Sequence, residues 1–155
     1  MGNFLLGSYS ARVDKSGRVK IPEKFRVTIE NVYGKELFIT SLNDLAIQIY
    51  PLPVWEELAG LTKVGLLHLK TDVRQFMRQV NVKGSQLDID TKGRVLVSLS
   101  LREKAQLDGE VEVIGLNNHL EVWNKDNLET TLAQNPLTDE DFDQIAQLAD
   151  RVKIE

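Results

Sequence analysis

The chain has no cysteine, so it forms no disulfide framework and offers no thiolate to a metal. That absence fits a reducing cytoplasm. Histidine is nearly as scarce. His68 and His119 are the only two and stand far apart, whereas a metal site wants several ligands at tight spacing. No run of about 18 apolar residues occurs, so no transmembrane helix is expected. No Gly-rich phosphate loop and no nucleophile elbow is present. The carboxylate pairs Asp88 with Asp90 and Asp139 with Asp141 read as solvated turns and caps rather than as acid–base pairs. These absences argue against an enzyme, a metal, a cofactor, a small-molecule substrate and a membrane partner. The opening Met1 to Gly7 has an apolar patch but no charged n-region and no long h-region, and it reads as mature sequence. Leu6 stands where a myristoylation motif starting at Gly2 would want Ser or Thr.

What is present is an ordinary soluble composition with an uneven charge distribution. The 155 residues suit one compact domain or two closely paired halves, and 42% hydrophobic with 27% charged is typical of a globular chain. The net charge of −4 argues weakly against nucleic acid. Its distribution argues the other way. Arg12, Lys15, Arg18, Lys20, Lys24 and Arg26 outnumber Asp14 and Glu23 within residues 11–26, while residues 136–155 are predominantly acidic. Screening confines the relevant field to about 10 Å, so a local basic face can bind phosphate despite a negative total.

One phrase occurs twice. Asp14-Lys15-Ser16-Gly17-Arg18-Val19-Lys20-Ile21-Pro22 reappears 76 residues later as Asp90-Thr91-Lys92-Gly93-Arg94-Val95-Leu96-Val97. Each copy reads Asp, two polar residues, Gly, Arg and a β-branched run, and each leads to a short helix closing on Arg, at Arg26 and Arg102. Such an internal repeat marks two copies of one supersecondary unit.

The surrounding pattern follows the same order twice. Residues 9–13 and 18–21 read as strands around a 14–17 turn, with Pro22 opening a weak helix over 23–31. Strands follow at 37–40 and 45–50, joined by a polar turn at 41–44. In the second half, strands at 85–89 and 94–97 flank a 90–93 turn. A short helix at 99–105 and strands at 110–114 and 120–123 complete it. Between the halves, Pro51 and Pro53 start a short helix through Trp55, Leu58 and Ala59. Beyond Gly60 and Gly65, a helix over 71–80 carries Val73, Phe76, Met77 and Val80 on one face, with Thr71 or Asp72 as its cap. After Asn135-Pro136, Thr138 caps a C-terminal helix whose first turn is acidic and whose apolar face is Phe142, Ile145, Ala146, Leu148 and Ala149. The organisation is one pseudo-symmetric domain over 1–155: repeat one at 1–50, linker helices at 51–82, repeat two at 83–126 and a C-terminal helix at 136–153.

The doubled Asp-x-x-x-Arg motif resembles the MraZ family. The likeness runs through Phe4-Leu5 to Gly7, Arg18 to Arg26, Tyr50-Pro51 to Trp55 and Val113-Ile114-Gly115 to Trp123. It implies an α+β chain with an AbrB-like swapped-hairpin, double-split β-barrel built from two internal repeats, with flanking helices. It also implies a ring-forming, nucleoid-associated transcriptional regulator of the division and cell-wall gene cluster, binding repeated promoter sites on double-stranded DNA. An AbrB- or MazE-like antitoxin or protein-interaction module is the alternative, with the acidic C-terminal helix meeting a basic partner. The second copy departs from the first: Leu96 replaces Lys20 and Ser98 replaces Pro22, so the second loop is less basic.

The candidate DNA-binding residues are Arg12, Asp14, Lys15, Ser16, Gly17, Arg18 and Lys20 from the first copy, with Asp90, Lys92, Gly93 and Arg94 from the second. Arg can fork onto guanine or phosphate, and glycine lets backbone approach closely. Two other readings stay open. Each Asp–Arg pair could simply hold its hairpin, or the basic residues could be a solvated face. Phe4, Leu5, Leu6 and the segment near Trp55 are candidates for a self-assembly surface or for core.

Overall fold

The computed structural model describes residues 4–60 and 69–154. Gly2, Gly65 and His68 lie outside them. The chain divides into two compact units, Met1–Lys125 and Asp126–Glu155.

Among its described residues the first unit has eight strands and four helices. In chain order these are β1 (Leu5–Val13), β2 (Arg18–Lys20), α1 (Glu23–Val32), β3 (Glu36–Thr40), β4 (Ala46–Pro51), α2 (Leu52–Gly60), α3 (Thr71–Lys83), β5 (Ser85–Asp88), β6 (Arg94–Leu96), α4 (Leu99–Ala105), β7 (Gly109–Asn117) and β8 (Leu120–Asn124). All the strands join one antiparallel sheet in the order β5-β3-β4-β8-β7-β1-β2-β6. Its two edge strands are consecutive in the chain, and a bond from Asp90 N–H to Arg94 C=O (2.9 Å) draws them together. The sheet is therefore a nearly closed barrel, which leaves little open edge.

Strand exchange explains the order. Swapping each strand for its counterpart (β1 for β5, β2 for β6, β3 for β7, β4 for β8) returns the same cyclic sequence. β1 of the first half pairs along its whole length with β7 of the second, Leu5 opposite Asn117 through Val13 opposite Gly109. Reciprocally, β5 of the second half pairs with β3 of the first. The pseudo-twofold passes between β2 and β6, where Val19 faces Val95, and between β4 and β8, where Gln48 faces Glu121. This is the swapped-hairpin, double-split barrel of an α+β chain that the resemblance implied.

Side-chain alternation places the core inside the barrel. Val19, Ile21, Ile47, Ile49, Val95, Val97, Val111, Val113, Leu120 and Val122 are all buried. α1 contributes Phe25 and Ile29, while Val27 faces out; α4 contributes Leu101 and Ala105. Pro22 sits just before α1 at the N-cap rather than inside it, and Ser98 at the same place caps α4 by accepting from Leu101 N–H (3.3 Å). Leu5 is core, whereas Phe4 and Leu6 are exposed. The buried amide of Gln48 is satisfied on both sides. It donates to Glu121 Oε2 (2.8 Å) and accepts from Leu42 N–H (2.8 Å), as a buried polar group requires.

α3 is longer than its apolar pattern, and its cap position holds Lys70, with no side-chain cap bond. Asp72 instead accepts from the adjacent Val73 N–H (2.9 Å). Of the expected face only Val80 is buried, anchored where Thr40 Oγ1 donates to its carbonyl (2.7 Å). Phe76 and Met77 line an apolar groove of about 450 Å³ with Leu42, Tyr50, Trp55, Leu58 and Ala59. Trp55 stacks on Phe38 at 4.5 Å.

The second unit holds all but the first residue of α5 (Lys125–Gln134), and α6 (Asp139–Ile154). α5 has a weak amphipathic pattern with no buried residue, which is why periodicity does not reveal it. α6 opens with a reciprocal cap: Asp141 N–H donates to Thr138 Oγ1 (3.1 Å) and Thr138 N–H to Asp141 Oδ2 (3.0 Å). Asp141 is thus a cap, in keeping with its sequence reading.

The exchange seam admits a test. A Cβ on Gly115 would lie 2.5 Å from the Leu5 backbone. Gly115→Ala should force β1 and β7 apart at a cost of about 1–3 kcal/mol, as overpacking does, read as a lower denaturation midpoint with the slope unchanged. An unshifted midpoint contradicts the tight seam.

Candidate nucleic-acid interface

Each copy of the repeated phrase folds into the same five-residue loop, bond for bond. In the first, Asp14 Oδ1 accepts from Ser16 N–H (2.9 Å) and Arg18 N–H (2.9 Å), and Asp14 Oδ2 accepts from Arg18 Nε (3.0 Å). In the second, Asp90 Oδ1 accepts from Lys92 N–H (2.8 Å) and Arg94 N–H (2.9 Å), and Asp90 Oδ2 from Arg94 Nε (3.0 Å). The backbone closes beneath: Asp14 N–H to Arg18 C=O and Gly17 N–H to Asp14 C=O in one, Asp90 N–H to Arg94 C=O and Gly93 N–H to Asp90 C=O in the other. Aspartate suits the first position because its short carboxylate reaches its own backbone two and four residues on. Glycine suits the fourth because φ is +87° at Gly17 and +77° at Gly93.

The hairpin-holding reading is therefore realised in both copies. It leaves the loops charged. Arg18 and Arg94 remain partly exposed, with side chains 36% and 25% accessible. Lys15, Ser16, Thr91 and Lys92 form exposed tips. Gly17 and Gly93 are buried and present no surface of their own.

The two loops lie side by side. Because β2 and β6 pair about the pseudo-twofold, each glycine carbonyl accepts from the opposite half: Val97 N–H to Gly17 C=O (2.9 Å) and Ile21 N–H to Gly93 C=O (2.9 Å). Arg94 Nη1 approaches Asp14 Oδ2 at 3.7 Å across the seam. The Lys20 amine donates to Lys92 C=O. Arg12 stands apart on β1, where it pairs with Glu110 at 3.8 Å. Both partners are well exposed, so that pair contributes little.

Two further arginines belong to the site and were absent from the candidate residues. The Arg102 guanidinium lies on Gly17, where a Cβ would meet its Cζ at 2.6 Å. Arg26 lies on Gly93, where a Cβ would meet its Cδ at 2.9 Å. Arg26 also reaches Thr91 C=O (3.4 Å). Each half thus lays an arginine on the loop of the other. Their signal in the sequence was the helical stub closing on Arg in both copies, but only the crossed topology shows which loop each one touches.

The histidine and carboxylate readings resolve simply. His119 sits in the β7–β8 turn, stacked on Tyr50 at 4.4 Å, and burial holds its pKa below the usual histidine value despite Glu121. Asp88 belongs to β5 and faces Glu36 across the ladder.

The loop carboxylates are held below the ordinary aspartate value of about 3.9. For Asp14 the leading cause is the bond from Arg18 N–H, which partial burial opposes and which Ser16 N–H and the Arg18 charge reinforce. Asp90 has the same causes from Arg94 and Lys92. A depressed folded value means the loop bonds are intact above the unfolded value and are lost as pH falls through the folded one. Carboxyl carbon resonances of Asp14 and Asp90 should titrate with midpoints below about 3.9, with loop amide shifts moving in step. A midpoint at or above it contradicts the loop geometry.

Comparison with known proteins places this geometry. Residues 83–151 match the family model described as "MraZ protein, putative antitoxin-like". A protein of Acidobacterium capsulatum named transcriptional regulator MraZ is 36% identical over 91% of this chain and 96% of its own length. Proteins of the same name from Leuconostoc citreum and Thermoanaerobacter sp. strain X514 are 34% and 33% identical, covering 93% and 97% of this chain and 95% and 100% of their own. With relatives this similar along nearly its full length, and a barrel built from two exchanged Asp-x-x-x-Arg hairpins, the chain belongs to the MraZ family.

Proposed function

We propose that this chain is a DNA-binding transcriptional regulator, not an enzyme, and that residues 14–18 and 90–94 form its DNA-contacting surface. The observation that carries the reading is the adjacency of two chemically equal loops across one twofold. A double helix offers equivalent phosphates and base edges on either side of its own local twofold, so a pseudo-symmetric pair of cationic tips meets it twice. Lys15 and Lys92 supply point charges for phosphate. Arg18 and Arg94, braced by their aspartates, present the remaining edge of each guanidinium. Such bracing lowers the entropy lost on binding.

The finer reading is that the protein acts in the cytoplasm, at the nucleoid, on short repeated sites upstream of the division and cell-wall gene cluster. It would do so as a homo-oligomeric ring. One loop pair binds weakly, and several at matched spacing gain by avidity. The exposed apolar groove beside Trp55 supports self-assembly. An antitoxin-like or protein-interaction role is the second reading. The acid-rich start and exposed apolar residues of α6 favour it, and a stable complex with a basic protein partner and no DNA binding above background would establish it.

Two measurements test the first reading. In a mobility-shift titration on the duplex upstream of that gene cluster, Arg18→Ala should weaken binding about tenfold or more. Arg94→Ala should weaken it less, because the Arg94 guanidinium is shared between Asp90 and Asp14. Each aspartate keeps its two backbone donors, so folding should survive. Affinity unmoved by both changes excludes these loops. Separately, the mass in solution should be a multiple of 17.5 kDa and hold or rise with the duplex; a persistent monomer excludes the ring.

A further inference from the structure

The two halves share one fold but not one electrostatic setting, and the difference lies in the crossed arginines. Arg26, over the second loop, is flanked by two acids of its own helix: Glu30 at 3.3 Å and Glu23 at 3.7 Å. Its counterpart Arg102, over the first loop, has Leu99 and Gln106 at the corresponding positions. Arg102 forms no ion pair among the described residues. Its Nε donates to Val97 C=O (3.0 Å), which fixes the guanidinium against Gly17, and its terminal nitrogens have no hydrogen-bond partner among the described residues.

We propose that Arg102 is a DNA-phosphate contact supplied by the second half to the first loop, and that Arg26 is a positioning residue which seats the second loop without touching DNA. The inference rests on the DNA-binding reading above and deepens it. A guanidinium that is half-buried, anchored through Nε and uncompensated by an acid presents a preorganised fork to an anion. One with two carboxylates beside it has little net charge to offer and acts through the backbone it holds, here Thr91 C=O. The first loop then gathers Lys15, Arg18 and Arg102 at one place, whereas the second has Lys92 and Arg94, with the Lys20 amine tied to Lys92 C=O. The chain binds DNA asymmetrically although its barrel is pseudo-symmetric.

The number of phosphates neutralised is read from the slope of log affinity against log salt, about 0.9 per phosphate on duplex DNA. On the same promoter duplex, Arg102→Gln should lower the slope by about 0.9. Arg26→Gln should weaken binding with the slope unchanged, which a lost phosphate contact could not do. A wild-type slope in Arg102→Gln overturns the contact, and an equal fall in both variants overturns the asymmetry. A native protein with no salt-dependent binding sinks the DNA-binding reading instead. The seating can still be judged without DNA: the Gly17 amide resonance should move in Arg102→Gln and stay in Arg26→Gln. A Gly17 amide unmoved by Arg102→Gln overturns the seating.

Discussion

Everything distinctive in this molecule depends on two hydrogen bonds that cross the pseudo-twofold, Val97 N–H to Gly17 C=O and Ile21 N–H to Gly93 C=O. Each fastens the corner of one loop to the strand end of the other half. β2 and β6 are only three residues long, and these bonds extend their ladder by one pair at each end, from the strands into the loops. With them, the loops become the rim of a barrel whose interior is a continuous aliphatic core. The glycine corner carries both demands. Its positive φ turns the chain, and its missing Cβ leaves room for the opposite arginine.

The loops carry their charge at low cost because each aspartate is satisfied locally. Three donors converge on each carboxylate, so the arginine is aimed before any partner arrives. An exposed ion pair alone would stabilise the fold very little. A carboxylate that ties its own backbone and orients an arginine does more for shape than for stability. This joins the hairpin-holding and ligand-contacting readings: the same aspartate does the first in a way that prepares the second.

Much of the fold was legible in the residues. The 76-residue repeat located both loops, and alternation located most strands within a few residues. The helices over 23–31 and 99–105 were legible, the first from its punctuation by Pro22, whereas the Ser98 cap of the second is shown by the structure. α5 was not, because its apolar residues follow no clear face. The α3 stripe was read correctly as amphipathic, yet only Val80 reaches the core; periodicity names a face without saying what covers it. The loop site was legible residue by residue, except for Arg26 and Arg102. Their place depends on contacts between residues 65 to 85 positions apart, which no local pattern encodes.

By itself the sequence determined the repeat, the loop chemistry and the apolar alternation, since these are local: a short carboxylate reaching its own backbone, a glycine where φ must be positive, a β-branched run that favours a pleated strand. Only the tertiary structure decided that the halves exchange β1 and β5, that the loops therefore lie together, and that each arginine crosses to the other loop. Those outcomes come from closing the sheet. A hairpin left to itself keeps two open edges, and pairing each half's first strand with the other half's third satisfies them in one barrel.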